Sequence, residues 1–239
     1  MFLKKTFVLF TFILFFPIFA KTDTYSLNKN LYVGFNAGII SPNDIKIEKS
    51  EAGIINGVDI SANVSGDFIF DNGYQIGGLL GYRFNDFLSF ETELAYTNFD
   101  YDKLNLLSGG TATVGGITFT GSNSTSYIVD GNISAFSMIF GPVIDMDVRE
   151  GIELFIGGAI GFSSYSDEIK SVGGSAGLSF DEDFTDFAAK FKTGINYSLN
   201  DQTYLQAEYG YNYVDSSIDN FSDDFSASSF SGKIVFNFW

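Results

Sequence analysis

The residues best suited to chemistry are charged side chains that stand two positions apart in segments rich in apolar residues. Glu91 and Glu93 form one such pair, and Lys190 and Lys192 form another. In an extended strand, residues i and i+2 point to the same face, so each pair projects two like charges into one environment. Three further charges follow the same alternation: Arg83, Glu208 and Lys233. Such a set could act as acids and bases, line an ion path or neutralise itself through ion pairs.

Enzymatic chemistry has little support in the sequence. The chain contains no histidine, the residue that serves as general base or orienting group in Ser–His–Asp hydrolases. Carboxylate-only or lysine-based chemistry stays open, but no nucleophile stands at a defined spacing from a base. We therefore predict a non-enzymatic protein without catalytic residues or cofactors.

Composition narrows the class of protein. The 239 residues include 29 carboxylates and 13 basic side chains, giving a net charge of −16. Nucleic-acid binding needs a basic surface, so nucleic acid is excluded as a partner. The chain is also 45% hydrophobic and 18% aromatic. A soluble domain would have to bury those rings, whereas a membrane β-barrel can expose them to lipid.

Apolar and polar residues alternate with a period of two in eight segments, which is typical of strands with two different faces. The predicted strands are 31–39, 74–84, 87–96, 136–146, 154–163, 187–199, 205–213 and 230–239. Each is near the ~9–11 residues that a tilted strand needs to cross a bilayer. One face of each strand is aliphatic and aromatic, and the other holds Gly, Ser, Asn and charged residues.

The connections between these strands alternate strictly between short and long. The short connections are 85–86, 148–151 and 200–201, and the long ones are 41–73, 97–135, 164–186 and 214–229. This pattern predicts an all-β fold: an eight-stranded antiparallel up-and-down transmembrane β-barrel over residues 31–239. Its short turns and both termini would be periplasmic and its long loops extracellular.

Two other folds stay open. Alternating residues within 41–73 and 97–135 make a ten-stranded barrel the nearer alternative, although we expect extra pairing there to lengthen hairpins outside the membrane. A soluble β-sandwich or lipocalin-like barrel is the second alternative.

In the predicted barrel the alternating charges share one interior. An eight-stranded barrel is just wide enough to be filled by side chains, and an unpaired buried charge costs several kcal/mol. We therefore predict a salt-bridged plug, with a narrow ion path as the alternative. The predicted lumen network comprises Arg83, Glu91, Glu93, Lys190, Lys192, Glu208 and Lys233.

The two chain ends agree with export to an outer membrane. Residues 1–20 combine a basic start, an apolar stretch and a small residue at Ala20, which predicts a secretory signal peptide. An uncleaved membrane anchor is the alternative. Residues 21–30 would form a short periplasmic segment before the barrel. At the other end, alternate aromatic residues predict a C-terminal insertion signal at Phe236, Phe238 and Trp239.

Several segments carry a family resemblance. The motifs GYRFND at 81–86 and ETELAY at 91–96 resemble the second hairpin of OmpA-like and opacity-type outer-membrane barrels. FIGGAIGF at 155–162 resembles their fifth strand, and 187–201 with 207–211 resembles the sixth and seventh. Such proteins are surface antigens, adhesins, small porins and structural barrels. The resemblance implies a cell-envelope protein of a Gram-negative outer membrane.

The long loops carry acidic clusters at 181–186 and 215–224. Neither has the spacing of an EF-hand with its central glycine, so no metal ligand is predicted. We expect a monomeric surface protein with a structural or surface-interaction role, as in a surface antigen or adhesin. A small-solute or ion porin is the alternative. The expected partners are outer-membrane lipid and lipopolysaccharide, the barrel assembly machinery with periplasmic chaperones, and a host, phage or cell-surface ligand.

Overall fold

A computed structural model of the chain describes residues 30–55, 58–114, 116–174, 180–215 and 224–238. The predicted signal peptide, nearly all of the 21–30 segment and Trp239 lie outside these ranges. The described residues include no helix that is long and apolar enough to cross a membrane. They form ten strands: β1 Leu31–Pro42, β2 Ile45–Ile55, β3 Val58–Phe70, β4 Gly73–Asn85, β5 Leu88–Val114, β6 Ile117–Arg149, β7 Ile152–Val172, β8 Phe180–Asn200, β9 Thr203–Val214 and β10 Phe225–Asn237.

Eight of these strands close into a ring. The order around the ring is β1, β4, β5, β6, β7, β8, β9 and β10, and β10 pairs with β1 to complete it. All the pairings are antiparallel, so the predicted eight-stranded up-and-down barrel is confirmed. β2 and β3 are outside the ring, which means that ten strands are present but the barrel itself has eight.

The two extra strands extend a hairpin beyond the ring. β3 and β4 run end to end along β5, with β3 opposite residues 101–113 and β4 opposite 88–98. β2 pairs with β3 alone. We call the resulting four-stranded sheet the lobe: β2, β3, residues 103–114 of β5 and residues 117–128 of β6. The end of the barrel that carries the lobe is the hairpin rim, and the end with the short turns is the turn rim.

The ring strands were predicted too short at the hairpin rim. The connections 41–73 and 97–135 were predicted mainly as loops, but most of their residues continue the β-ladder, and β7 and β8 also reach into 164–186. The expectation that extra pairing there would lengthen hairpins is confirmed. The strands were predicted too short because the polar and apolar faces exchange where the strands leave the ring.

This reversal is visible on the outer face. On β5 the outward residues change from Leu94 and Tyr96 to Asn98 and Asp100, and on β7 they change from Phe162 to Ser164. Exposed aromatic residues stand at or just below the change: Tyr74, Tyr96, Phe136, Phe162, Phe187, Tyr211 and Phe230. A second set lies near the turn rim: Phe84, Phe87, Tyr197, Phe236 and Phe238. An apolar band between two aromatic girdles is the surface expected in lipid.

The inner face reverses in the opposite sense. The interior is polar and charged within the apolar band, but near the hairpin rim it becomes an apolar core that continues into the lobe. Phe99 stacks on Phe225 with ring centroids 5.5 Å apart, and it meets Phe70 edge-on at 5.5 Å. A fully buried ring such as Phe99 contributes about 2–3 kcal/mol. This core fixes the lobe to the barrel.

A buried polar pair lies at the same junction. The Tyr101 hydroxyl donates to Asp167, with distances of 2.9 Å to Oδ1 and 3.0 Å to Oδ2, and both side chains are buried. Burial, followed by the negative charge of Asp167, raises the pKa of Tyr101 well above its ordinary value. The hydroxyl therefore stays protonated and holds β5 to β7.

Substitution of Gly141 tests the close packing of β6 against β7. A Cβ at Gly141 would overlap the carbonyl oxygen of Gly158, whereas a Cβ at Gly158 would meet nothing within 4 Å. G141A should therefore lower the yield of folded barrel several-fold and G158A should leave it unchanged, as judged by heat-modifiable gel migration. Equal yields from the two variants would contradict the packing described.

Substitution of Tyr101 tests the junction. Y101F deprives a buried carboxylate of a donor and should destabilise the fold by about 1–3 kcal/mol, measured by denaturant unfolding. Folding raises the pKa of Tyr101. The hydrogen bond therefore contributes its full stability below the pKa of about 10 that tyrosine has in the unfolded chain, and this stability is lost as pH rises through the pKa of Tyr101 in the folded protein. The difference between wild type and Y101F should thus be constant from about pH 6 to pH 9 and shrink at higher pH. A difference that grew with alkaline pH would refute the pair.

Candidate functional site: the charged barrel interior

Six side chains meet in the barrel interior and form what we call the ion-pair plug. Its members are Glu91 and Glu93 from β5, Lys190 and Lys192 from β8, Glu208 from β9 and Lys233 from β10. β5 and β8 are separated in the ring by β6 and β7 on one side and by four strands on the other. The contacts therefore run across the lumen, not along one wall. No member is more than 4% exposed.

Four of the charges form a closed square. Lys190 Nζ lies 2.6 Å from Glu93 Oε1 and 2.8 Å from Glu208 Oε1. Lys233 Nζ lies 2.6 Å from Glu208 Oε2 and 3.3 Å from Glu93 Oε2. Each lysine thus bridges both carboxylates, and each carboxylate receives both lysines.

The remaining two charges extend the square toward the turn rim. Lys192 pairs with Glu91, and its Nζ also lies 3.8 Å from Glu93 Oε2. The hydroxyl of Tyr32 on β1 donates to Glu91 Oε1 at 2.8 Å. Three lysines and three glutamates balance, so the plug is neutral although almost completely desolvated. That balance offsets the cost of burial, which is severe for a single unpaired charge.

Arg83, the seventh residue of the predicted network, stands apart from the plug. Its guanidinium lies 5.9 Å from the centre of the Tyr32 ring. In the described part of the chain, no carboxylate is within ion-pair distance of it. The sequence assigned Arg83 to the correct side of its strand but could not give its height, and pairing opposite Ser89 places it nearer the turn rim.

A layer in which amide side chains bind two carboxylates lies below the plug. Asn196 Nδ2 donates to Asp145 Oδ1 at 3.2 Å and to Glu153 Oε2 at 3.4 Å, while Gln206 Nε2 donates to Asn196 Oδ1 at 3.0 Å. Sequence reasoning missed the partners of this layer and the role of Tyr32. Their inward parity was visible, but their contacts depend on the neighbouring strands.

Above the plug, the interior closes over an apolar core. A cavity of about 40 Å³ separates the two, lined by Gln75, Glu93 and Asn212 on its polar side and by Phe99 and Tyr165 on its apolar side. This is room for one or a few water molecules. The void is thus far smaller than a solute path.

The described residues contain no group of three or more acidic, histidine or cysteine side chains that could hold a metal ion. The acidic cluster at 215–224 falls largely outside those residues. The absence of a predicted metal ligand therefore stays a prediction for the loops. Of the predicted insertion signal, Phe236 and Phe238 lie on the exposed outer face of the last strand.

The closed ring, the apolar outer band and the charged interior together define a transmembrane β-barrel of the outer-membrane type. The chain belongs to the outer membrane protein beta-barrel domain family, whose model matches residues 8–238. Membership places the protein in the outer membrane of a Gram-negative bacterium. The family includes several roles and does not fix this one.

Solved structures with a similar architecture come from several bacteria. Neisserial surface protein A is 17% identical, with a TM-score of 0.47, and the match covers 87% of this chain and 97% of that one. Ail of Yersinia pestis is 13% identical, with a TM-score of 0.41 over 87% and 98%. The outer membrane protease OmpT of Escherichia coli is 10% identical, with a TM-score of 0.44 over 91% and 99%. A search among curated proteins gave no significant match.

A double-mutant cycle on Glu91 and Lys192 tests whether the plug acts as a unit. E91Q and K192M should each destabilise the barrel by about 3–5 kcal/mol, because each leaves buried charge poorly compensated. The double variant removes both charges and should cost clearly less than the sum of the two. Unfolding by urea in lipid vesicles gives the free energies. Strict additivity would show that the two charges do not interact.

Proposed function

We propose that the protein is a non-enzymatic surface protein of the outer membrane, closed to solutes, whose lobe and loops contact partners outside the cell. The observation that carries this proposal is the ion-pair plug, which fills the lumen with neutralised, desolvated charge. A closed interior leaves the outer surface as the place where function is performed.

The plug opposes conduction through its energetics. An ion passing through the lumen would have to separate Glu93 from Lys190 and Lys233, and breaking a buried pair costs several kcal/mol. Beyond the plug, the ion would meet the apolar core around Phe99 and Phe225, where it would lose its hydration without compensation. Two unlike barriers in series support a closed barrel.

The lobe supports a role in surface contact. β6 continues for 19 residues from Phe136 at the girdle to Ile117, which is roughly 60 Å along the strand. We infer that the hairpin rim is extracellular and that the short turns and both termini are periplasmic. The partners would then be lipopolysaccharide, a host, phage or neighbouring cell, and the barrel assembly machinery during insertion.

A small-solute or ion pore is the second candidate. It is favoured by the charged interior and by the water-sized cavity beside Glu93. Such a pore would need the plug to open, and its conductance would depend on the plug charges.

Planar-bilayer recording tests the closed barrel. Wild-type protein should insert without steady conductance, because the plug and the apolar core block the lumen. Insertion is checked by heat-modifiable migration of the same sample. A steady wild-type conductance that changes in E93Q or K190M, but not in the control E150Q at an exposed turn, would replace this proposal by the pore.

A further inference from the structure

The lobe sheet has two free edges. β2 forms one, and β6 forms the other, because β6 joins β7 only from Val129 onward. Within the described ranges, no strand pairs with residues 117–127 of β6 on the side away from β5. A free edge is tolerated here because the lobe lies beyond the apolar band, where water can satisfy the backbone.

The backbone direction along this edge follows from one hydrogen bond. The carbonyl of Ile128 accepts from the amide of Gly173 at 2.8 Å, so the backbone groups of Ile128 point away from β5. In an antiparallel ladder these groups point to alternate sides at successive residues. The backbone groups of every second residue before Ile128 therefore point to the same open side of β6. These residues are Thr118, Thr120, Ser122, Ser124 and Ser126.

The two edges differ in their protection. β2 carries Lys46, Glu48, Lys49 and Glu51 within six residues, a pattern that discourages another strand from pairing. Residues 117–128 of β6 contain no charge and no proline, and they include Ile117, Phe119 and several threonines. The β6 edge is thus a long, uncharged template for strand addition.

Charge and symmetry indicate what could occupy this edge. The lobe holds three lysines and four carboxylates, so it is almost neutral although the whole chain carries −16. A second lobe would not be repelled there. In an antiparallel self-pairing centred on Asn123, Phe119 of each copy would stand opposite Tyr127 of the other, and both residues are exposed on the same face. Cross-strand aromatic pairs of this kind stabilise a sheet.

We propose that the β6 edge pairs antiparallel with the same edge of a second copy of this chain, joining the two lobes into one eight-stranded sheet. Thr120 would exchange backbone hydrogen bonds with Ser126, and Ser122 with Ser124, each twice by symmetry. Antiparallel pairing points the two barrels in opposite directions, so the copies lie in two facing membranes. This proposal deepens the proposed function by naming a partner, and it replaces the expectation of a monomer. It rests on the proposed function for the extracellular position of the lobe.

Substitution of Ser124 separates the free edge from the fold. S124P removes an amide that points to the open side, so the ladder with β5 stays intact. The matched control S124A keeps that amide. Wild type and S124A should form dimers in detergent, measured by light scattering after size exclusion, and should cluster phosphatidylcholine proteoliposomes. S124P should weaken dimerisation by about tenfold or more, because symmetry doubles each lost bond, and should abolish clustering.

A second variant tests the same edge in case S124P does not fold. S122K/S126K places charge on the edge, as β2 does, and should also give monomers, whereas S50K on β2 should leave dimers intact. Heat-modifiable migration must show that each variant is folded. Monomeric wild type at high concentration, or a folded S124P that dimerises normally, would overturn the proposal. Dimers without vesicle clustering would refute the facing membranes. If the wild-type barrel does not conduct and stays monomeric, only the dimer proposal is refuted. If it conducts and forms dimers, only the proposal of a closed barrel is refuted.

Discussion

Backbone hydrogen bonding in hydrocarbon is the constraint on which the rest of the structure depends. Lipid offers no donor or acceptor, so each amide and carbonyl of a membrane-spanning strand must pair with another strand. The pairing of β1 with both β4 and β10 meets this requirement by leaving the ring without an edge. Closure also creates an interior apart from lipid, where lysine and glutamate can reside if they neutralise one another.

The long ring strands β5 to β8 pass through two solvents. In the lipid band the outer face is apolar and the inner face is charged, whereas beyond the girdle the outer face is polar and the inner face joins an apolar core. The lobe is therefore built like a water-soluble sheet, although two of its strands, β5 and β6, continue into the barrel. This explains why, among the described residues, unpaired edges occur at β2 and β6 but not in the ring.

Because the interior is filled, the outer surface is the part of the protein that is available for contacts. Plug and apolar core occupy successive levels of the lumen, and each is stabilised by a different interaction: ion pairing in one and ring packing in the other. Family membership fixes the architecture and the membrane, but the role depends on surfaces that vary freely on such a scaffold. Here the distinguishing surface is the lobe, with its one protected and one unprotected edge.

The sequence alone favoured eight ring strands and assigned strand residues to the inner or the outer face, because a period of two fixes sides without tertiary information. It could not determine the height of each residue along the barrel axis. Arg83 has the correct parity but lies away from the plug, and β5 was predicted too short because Asn98 and Asp100 reversed the pattern. Glu91 and Lys192 are 101 positions apart. Only ring closure and strand register bring them together, since both are set by pairing between distant segments.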